Sequence, residues 1–151
     1  MKDLEVPSEE DWGNYKADLD QDHAHRIFFG KTREEVSADF ERNIIERTDE
    51  LRFMPPIPFR YYMIAFRDFV LSSRLFEMNN EWDVPDAASC FLNLIADKLE
   101  GAPEAIAPIM GNLMPAIEYG GSNQALYKAN EDIYGNFSEK LERIRALYRN
   151  A

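Results

Sequence analysis

Apolar residues recur at helical spacing along most of the chain. In residues 32–54, Val36, Phe40, Ile44 and Leu51 fall on one side of a helix whose other side carries acidic and basic residues. This spacing predicts one amphipathic helix of about twenty residues. The two prolines that follow it each remove a backbone hydrogen-bond donor, so we expect the helix to end there.

A second, more apolar helix is predicted from residue 59 to residue 76. It carries four aromatic side chains at helical spacing, Tyr62, Phe66, Phe69 and Phe76, so we expect it to be the most buried helix. Spacing and capping residues predict further helices within residues 83–101, 102–121, 122–135 and 136–149. The sequence has no run of alternating apolar and polar residues that would predict a sheet.

Prolines interrupt the helical pattern of residues 102–121. Pro108 and Pro115 stand inside the predicted helix, where they are expected either to kink it or to split it into shorter pieces. We therefore predict an all-α, single-domain bundle of about five to seven helices, with one of them kinked or divided near Pro108.

Acidic residues outnumber basic ones, with 28 Asp and Glu against 17 Lys and Arg and a net charge of −11. Such a charge disfavours nucleic acid and anionic membranes as partners. The first 22 residues carry eight acids and two bases. We interpret residues 1–22 as an acidic, mobile segment before an all-α domain at residues 23–150. Within this segment, Asp18, Asp20 and Asp22 form a candidate surface for a basic partner.

The sequence favours a reducing compartment. Cys90 is the one cysteine, so an internal disulfide cannot form. The N-terminal residues lack the apolar stretch of a secretory signal, and no run of about 18 apolar residues predicts a membrane span. We therefore expect a cytoplasmic protein, and no motif indicates a cofactor.

Both histidines lie in the stretch DQDHAHRIFFGKTREE, residues 20–35. A phosphate loop would need glycine where His25 stands, and a calcium loop would need glycine at His23 and glutamate at Phe29. Both kinds of site are therefore disfavoured. A closed zinc site needs four ligands, and the chain offers no other histidine beside this pair. No metal ligand is assigned, and the role of the two histidines is left open.

The same stretch has a simpler structural interpretation. Thr32 and Glu35 have the spacing of a capping box, directly before the apolar pattern that starts at Val36. Gly30 suits the turn that leads into such a cap. We therefore predict that residues 30–35 lead into a helix.

Three arginines, Arg60, Arg67 and Arg74, repeat every seven residues along the predicted helix 59–76. Seven residues make nearly two helical turns, so the three side chains would share one side of the helix. They are a candidate anion-binding row. The alternative interpretation is a solvated, salt-bridged side of an otherwise apolar helix.

A polar aromatic series lies near the C-terminal end. Tyr127, Asn130 and Tyr134 fall on one face of the predicted helix within residues 122–135. They are a candidate lining for a ligand pocket. The alternative is ordinary packing with the hydroxyl groups at the rim of the core.

The sequence shows no nucleophile beside a base and no carboxylate pair that can be nominated for acid–base catalysis. Our leading hypothesis is therefore a non-enzymatic module that binds another protein, with a basic partner and a regulatory or toxin-neutralising role. The alternative is a small-molecule or anion-binding protein, or an enzyme, with a pocket between helices. A mainly structural role and assembly into a homo-oligomer are also left open.

Overall fold

Helices account for the regular structure of the chain. The computed structural model describes residues 5–78 and 80–151, and within these ranges it contains no strand. The α-helices, numbered in chain order, are α1 Leu19–Phe28, α2 Arg33–Arg42, α3 Ile44–Phe53, α4 Pro56–Val70, α5 Ser73–Phe76, α6 Asp83–Gly101, α7 Pro103–Ile106, α8 Met110–Gly121, α9 Glu131–Tyr134 and α10 Phe137–Arg149. The same ranges contain 3-10 turns at Glu10–Trp12, Tyr15–Ala17 and Ala107–Ile109. In the described ranges, no helix is both long enough and apolar enough to cross a membrane.

The all-α class is confirmed, but the helices in the described residues outnumber the predicted five to seven. Short helices account for the difference, since α5, α7 and α9 are each four residues long. Periodicity in the sequence does not detect such elements, because an apolar face becomes visible only over several turns.

The helix predicted within residues 32–54 is divided at Asn43. The backbone of Asn43 leaves the helical region, with φ −160° and ψ 89°, and its side chain accepts a hydrogen bond from the Glu46 amide at 3.1 Å. Asn43 therefore caps α3, and α2 ends before it. At the start of α2, the predicted capping box of Thr32 and Glu35 is present.

α4 lies at the centre of the core. It packs against α2, α3, α6, α7 and α8, and ten of its fifteen residues are buried. The Phe66 ring stacks on Phe40 of α2 at 4.9 Å and meets Phe91 of α6 edge to face at 5.4 Å. The aromatic face that the sequence predicts is therefore the middle of the packed interior.

α4 ends earlier than the sequence predicts. The Ser72 hydroxyl donates to the Phe69 carbonyl at 2.7 Å, and its oxygen accepts a hydrogen bond from the Leu75 amide at 3.3 Å. These bonds close a turn after Val70 and begin α5, so residues 59–76 are not one continuous helix.

The helical segment predicted at residues 102–121 is split at its first internal proline. Pro108 lies in the 3-10 turn between α7 and α8, so the chain is divided there and not bent as one helix. Proline has no backbone N–H to continue the helical ladder, which explains the break. Pro115 is accommodated inside α8.

Residues 122–130 do not form the helix that their sequence predicts. α8 continues to Gly121, and Ser122 is its C-cap rather than the N-cap of a new helix. The next helical residues are those of α9, which Asn130 caps by accepting a hydrogen bond from the Asp132 amide at 2.8 Å.

The acidic N-terminal segment packs against the helices from its first 3-10 turn onward. Trp12 is fully buried and Tyr15 is 6% exposed. α1 begins at Leu19 with Asp18 as its N-cap, so the predicted boundary between residues 22 and 23 falls inside a helix. This arrangement differs from a separate mobile segment. The physical reason is the apolar contact of two aromatic side chains, which a count of charges does not register.

We predict that Trp12→Ala lowers the free energy of unfolding by about 3 kcal/mol or more, because it removes a fully buried aromatic side chain. Trp82 is 49% exposed. Trp82→Ala is the matched control and should cost less than about 1 kcal/mol. Urea denaturation followed by circular dichroism measures both. Equal effects of the two substitutions would mean that the segment before α1 does not stabilise the domain.

Candidate functional site

Two clefts of the described residues are open to solvent and share no lining residue. The acidic cleft, of about 310 Å³, lies between α1 and α3 and is lined by Asp20, His23, Glu46, Asp49, Glu50 and Phe53. The aromatic cleft, of about 450 Å³, lies between the start of α6 and α9, and its lining includes Met78, Trp82, Pro85, Lys128, Ile133 and Tyr134.

The acidic cleft owes its carboxylates to the spacing of residues along α3. Glu46, Asp49, Glu50 and Phe53 are separated by three, one and three positions, which places them on one face of the helix. α1 packs beside α3 and contributes Asp20 to the lining. Four carboxylates therefore surround one opening.

Glu50 is the buried carboxylate of the acidic cleft. Its side chain is 4% exposed and accepts hydrogen bonds from Arg47 Nε at 2.5 Å and Arg47 Nη2 at 2.9 Å. The His23 Nε2 lies 2.8 Å from Glu50 Oε2. A two-point contact of this kind compensates for the removal of a carboxylate from water. Glu50 is thus neutralised by the protein itself.

The other three carboxylates of the acidic cleft are less fully neutralised. Asp20 forms no ion pair with any of the described residues. The nearest cation contacts of the other two are long for ion pairs, at 3.4 Å from Glu46 to Arg47 and 3.9 Å from Asp49 to Arg52. The opening therefore keeps an excess of negative charge at its rim.

Exposed apolar side chains border the acidic cleft. Leu19 is 86% exposed, Ile45 is 56% exposed, and Phe53 in the lining is 43% exposed. Leu19 stands four residues before His23 and Ile45 four residues before Asp49, so helical spacing puts each of them beside the cleft. Apolar area gathered around a charged opening is typical of a surface that meets a partner.

The structure gives the three predicted aspartates different roles. Asp18 caps α1 by accepting hydrogen bonds from the amides of Asp20 at 2.9 Å and Gln21 at 3.1 Å. Asp20 lines the acidic cleft, and Asp22 pairs with Arg26 at 3.2 Å. One of the three therefore belongs to the cleft, because neighbouring positions of a helix point to different sides.

His25 holds the N-terminal segment against α1. Its ring stacks between Tyr15 at 3.8 Å and Phe29 at 4.5 Å, and its Nε2 lies 2.9 Å from the Glu9 carboxylate. Glu9 also accepts a hydrogen bond from the Tyr15 hydroxyl at 2.5 Å. We call Glu9, Tyr15, His25 and Phe29 the N-terminal clasp. Two hydrogen bonds lower the pKa of Glu9, and the one from Tyr15 contributes more than the one from His25. In turn, the hydrogen bond to the Glu9 carboxylate raises the pKa of Tyr15 to about 12.

The two histidines lie in separate surroundings, His23 in the acidic cleft and His25 in the N-terminal clasp. Among the described residues, no group of three or more His, Cys, Asp or Glu side chains could hold a metal ion. Burial raises the pKa of the partly exposed Cys90 thiol. A raised thiol pKa disfavours the thiolate, which is the reactive form of cysteine.

The three predicted arginines do not converge. Arg60 donates to a carbonyl of α7 at 3.3 Å, Arg67 pairs with the adjacent Asp68 at 2.8 Å, and Arg74 pairs with Glu41 of α2 at 2.8 Å. The expected row also requires one continuous helix, whereas Arg74 lies on α5, after α4 has ended. The three side chains thus engage separate groups of the protein.

The predicted tyrosine and asparagine face is divided between the core and the aromatic cleft. Tyr127 is fully buried, and its hydroxyl donates to the Val70 carbonyl at 2.8 Å. Asn130 and Tyr134 line the aromatic cleft, and the Tyr134 hydroxyl donates to Asp86 at 2.7 Å. The residues separate because Tyr127 lies in a loop instead of on a shared helix.

The aromatic cleft combines exposed apolar side chains with strained backbone. Trp82 is 49% exposed and Ile133 is 60% exposed. Lys128, also in the lining, has a φ of 57° and is the one non-glycine residue with positive φ in the described part of the chain. Such a conformation costs about 1 kcal/mol or more and is common at ligand-binding positions.

The sequence did not predict some of the residues that line the two clefts. Glu46, Asp49 and Phe53 had a signal in their spacing along one helix face, but nothing in the sequence indicated that α1 would pack beside that face. Nothing in the sequence indicated that Trp82 would line a cleft, because Ile133, which lines the same cleft, is far away along the chain.

Comparison with known proteins adds no named relative to this description. The chain matches no family model, and neither a curated protein nor a solved structure is significantly similar to it. Function is therefore argued from the two clefts themselves.

The lowered pKa of Glu9 predicts a pH dependence for the N-terminal clasp. A carboxylate whose pKa is lowered by folding contributes stability above its unfolded pKa, and this contribution is lost as the pH falls through the folded pKa. We expect Glu9→Gln to be less stable than wild type at about pH 7, with the difference shrinking towards about pH 3. Urea denaturation across this range measures the difference.

The neighbouring Glu10→Gln removes the same charge from an exposed side chain and is the matched control. Its stability should follow the wild type across the whole range. A difference between Glu9→Gln and wild type that stayed constant with pH would contradict the role of the ionised Glu9 carboxylate.

The buried hydroxyl of Tyr127 predicts a specific loss of stability. Tyr127→Phe leaves the Val70 carbonyl without its partner in the core, which should lower the free energy of unfolding by about 1–3 kcal/mol. Tyr119→Phe is the control, because Tyr119 is 43% exposed and should change stability by less than about 0.5 kcal/mol. Chemical denaturation would contradict this reading if both variants matched the wild type.

Proposed function

We propose that the protein is a non-enzymatic binding module that takes up a basic surface of another protein at the acidic cleft. The observation that supports this proposal is the presence of exposed apolar side chains beside carboxylates that the chain neutralises only in part. Leu19 and Ile45 are exposed and stand four residues before His23 and Asp49, which line the cleft. Within this cleft Asp20 has no ion pair among the described residues, and the arginine contacts of Glu46 and Asp49 are long, at 3.4 Å and 3.9 Å. Protein interfaces commonly combine such apolar contact with charged groups at the rim.

Electrostatics favour a basic partner over an acidic or neutral one. The net charge of −11 gives the whole molecule a negative potential, and the acidic cleft concentrates it. A complementary field accelerates the encounter of two proteins and disfavours partners of the same sign. A lysine or arginine of the partner entering the cleft would meet Asp20, Glu46 and Asp49 together with the Phe53 ring.

Affinity would come mainly from apolar contact, because exposed ion pairs contribute little by themselves. Leu19 and Ile45 supply that contact on either helix of the cleft. A module of this kind suits a regulatory or toxin-neutralising role, in which one protein covers a basic functional surface of another.

A small-molecule binding role is the second candidate function. It is supported by the volume of the aromatic cleft, about 450 Å³, which falls within the range of roughly 300–1,000 Å³ that is usual for ligand pockets. This role concerns a different surface, so the two functions do not compete for the same residues.

The proposal predicts which substitutions abolish binding. We expect wild-type bait to recover a basic protein in near-equal amount from lysate of the source organism, and we expect Asp20→Asn/Glu46→Gln/Asp49→Asn bait to lose it. Raising the salt concentration from about 0.05 M to about 0.5 M should release the partner, because charges at the rim are screened. Mass spectrometry of the recovered proteins is the measurement.

A matched control separates the cleft from net charge. Glu10→Gln/Glu104→Gln/Glu139→Gln changes the charge by the same amount at exposed positions outside the cleft, and it should recover the partner like wild type. Equal loss of recovery by both triple variants would mean that net charge alone drives the association, and equal recovery by all three baits would mean that the partner does not depend on the acidic cleft. A wild-type bait that recovers no basic protein contradicts the proposal. Leu19→Ser/Ile45→Ser, which leaves the charge unchanged, should also weaken recovery.

A further inference from the structure

The aromatic cleft is built from two segments that are remote in sequence. Trp82 and Pro85 come from the start of α6, whereas Ile133 and Tyr134 come from α9. Met78 adds a flexible apolar side chain from the preceding loop. Most of these side chains offer apolar or aromatic surface, so an apolar body of small-molecule size is accommodated.

The Trp82 indole is the largest aromatic surface of the cleft that remains open to solvent. It is 49% exposed, and neither a ring nor a cation of the described residues packs on it. The face of an indole attracts a positive charge more strongly than the face of any other aromatic side chain. Trp82 therefore offers a position for a cation that no side chain of the described chain occupies.

Carboxylates near the cleft determine which sign of charge it favours. Glu81 lines the cleft, and Asp83 and Asp86 lie in the first turn of α6 beside it. None of the three forms an ion pair within the described residues. Burial raises the pKa of Asp83, and the negative charge of Asp86 raises it further. A cation bound nearby would relieve this unfavourable environment of the ionised carboxylate.

The positive charge of Lys128 does not outweigh the negative charges at the aromatic cleft. It is the one basic side chain in the lining of the aromatic cleft, against Glu81 in the lining and two aspartates at the adjoining helix start. The local charge is therefore negative, and an anionic ligand would be disfavoured on entering. A neutral ligand would gain the apolar contact but not the attraction of the indole face and the carboxylates.

We propose that the aromatic cleft is a binding site for a small organic cation, namely an amine or quaternary ammonium group carried by an apolar body. The ammonium group lies over the Trp82 ring near Glu81, and the apolar body contacts Met78 and Ile133. This site is independent of the acidic cleft, because the two have no lining residue in common. It gives the small-molecule candidate a chemical class of ligand.

Three probes of matched size test the charge preference: 2-phenylethylammonium, 2-phenylethanol and phenylacetate. Each is titrated into the full chain, and the indole N–H signal of Trp82 is followed by nuclear magnetic resonance, with that of the buried Trp12 as internal reference. We expect the ammonium probe to shift the Trp82 signal and to bind about tenfold or more tightly than the other two.

Variants locate the site. Trp82→Leu and Glu81→Gln/Asp83→Asn should each weaken binding of the ammonium probe about fivefold or more. Because Trp82→Leu lacks the reporter indole, binding to this variant is measured from the backbone amide signals of α6 and α9. Asp20→Asn/Glu46→Gln/Asp49→Asn should leave it unchanged, so failure at this cleft and failure at the acidic cleft are distinguishable. Preference for phenylacetate, equal binding of all three probes, no binding, or loss of binding only in the acidic-cleft variant would each overturn the proposal.

Discussion

The enclosure of α4 is the constraint on which the rest of the structure depends. A helix with ten buried residues out of fifteen must be surrounded around most of its circumference before water is excluded from it. The neighbouring helices, chiefly α2, α3, α6, α7 and α8, provide that cover, and their positions follow from the need to pack against its aromatic side chains. The fold is therefore organised around one central element, not as a layer of equivalent helices.

Two buried tyrosines fasten connecting segments to this central helix. The hydroxyl of Tyr62, within α4, lies 2.7 Å from the Phe28 carbonyl and 2.8 Å from the Lys31 carbonyl, and it ties the turn between α1 and α2. Tyr127 reaches the carbonyl of Val70 at the other end of α4. Burial raises the pKa of both hydroxyls, so each remains a hydrogen-bond donor at neutral pH. Loops that the backbone ladder does not hold are thus held by side chains.

Much of this fold could be predicted from the sequence, because the helical spacing of apolar residues indicates which face of a helix is buried. The core face of α4 and the capping box at Thr32 involve residues a few positions apart, and both were predictable. The breaks between helices were harder to predict from the sequence. Asn43 and Ser72 end helical patterns through single side-chain hydrogen bonds that compete with continuation of the helix. The expectation of a mobile acidic segment rested on its charges and did not take into account Trp12, which is fully buried.

The clefts were even harder to predict from the sequence, because each of them forms only where two helices pack side by side. Glu46 and Asp49 could be placed on one helix face, but their approach to Asp20 depends on how α1 packs. The division of Tyr127 from Tyr134 followed from a loop where the sequence favours a helix. Local spacing predicts which residues share a face, and tertiary packing decides which faces share an opening.

The acidic residues separate into two groups according to whether the fold neutralises them. Asp39 and Glu50 are buried, and each has cationic partners at close range, with Lys31 at 2.9 Å from Asp39 and Arg47 at 2.5 Å from Glu50. Burial without such partners would be strongly unfavourable, so these two carboxylates belong to the structure. Asp20 and Glu81, at the two clefts, have no ion pair among the described residues. Carboxylates that the core does not require, left unneutralised beside exposed apolar side chains, are the groups that a positively charged partner or ligand would stabilise.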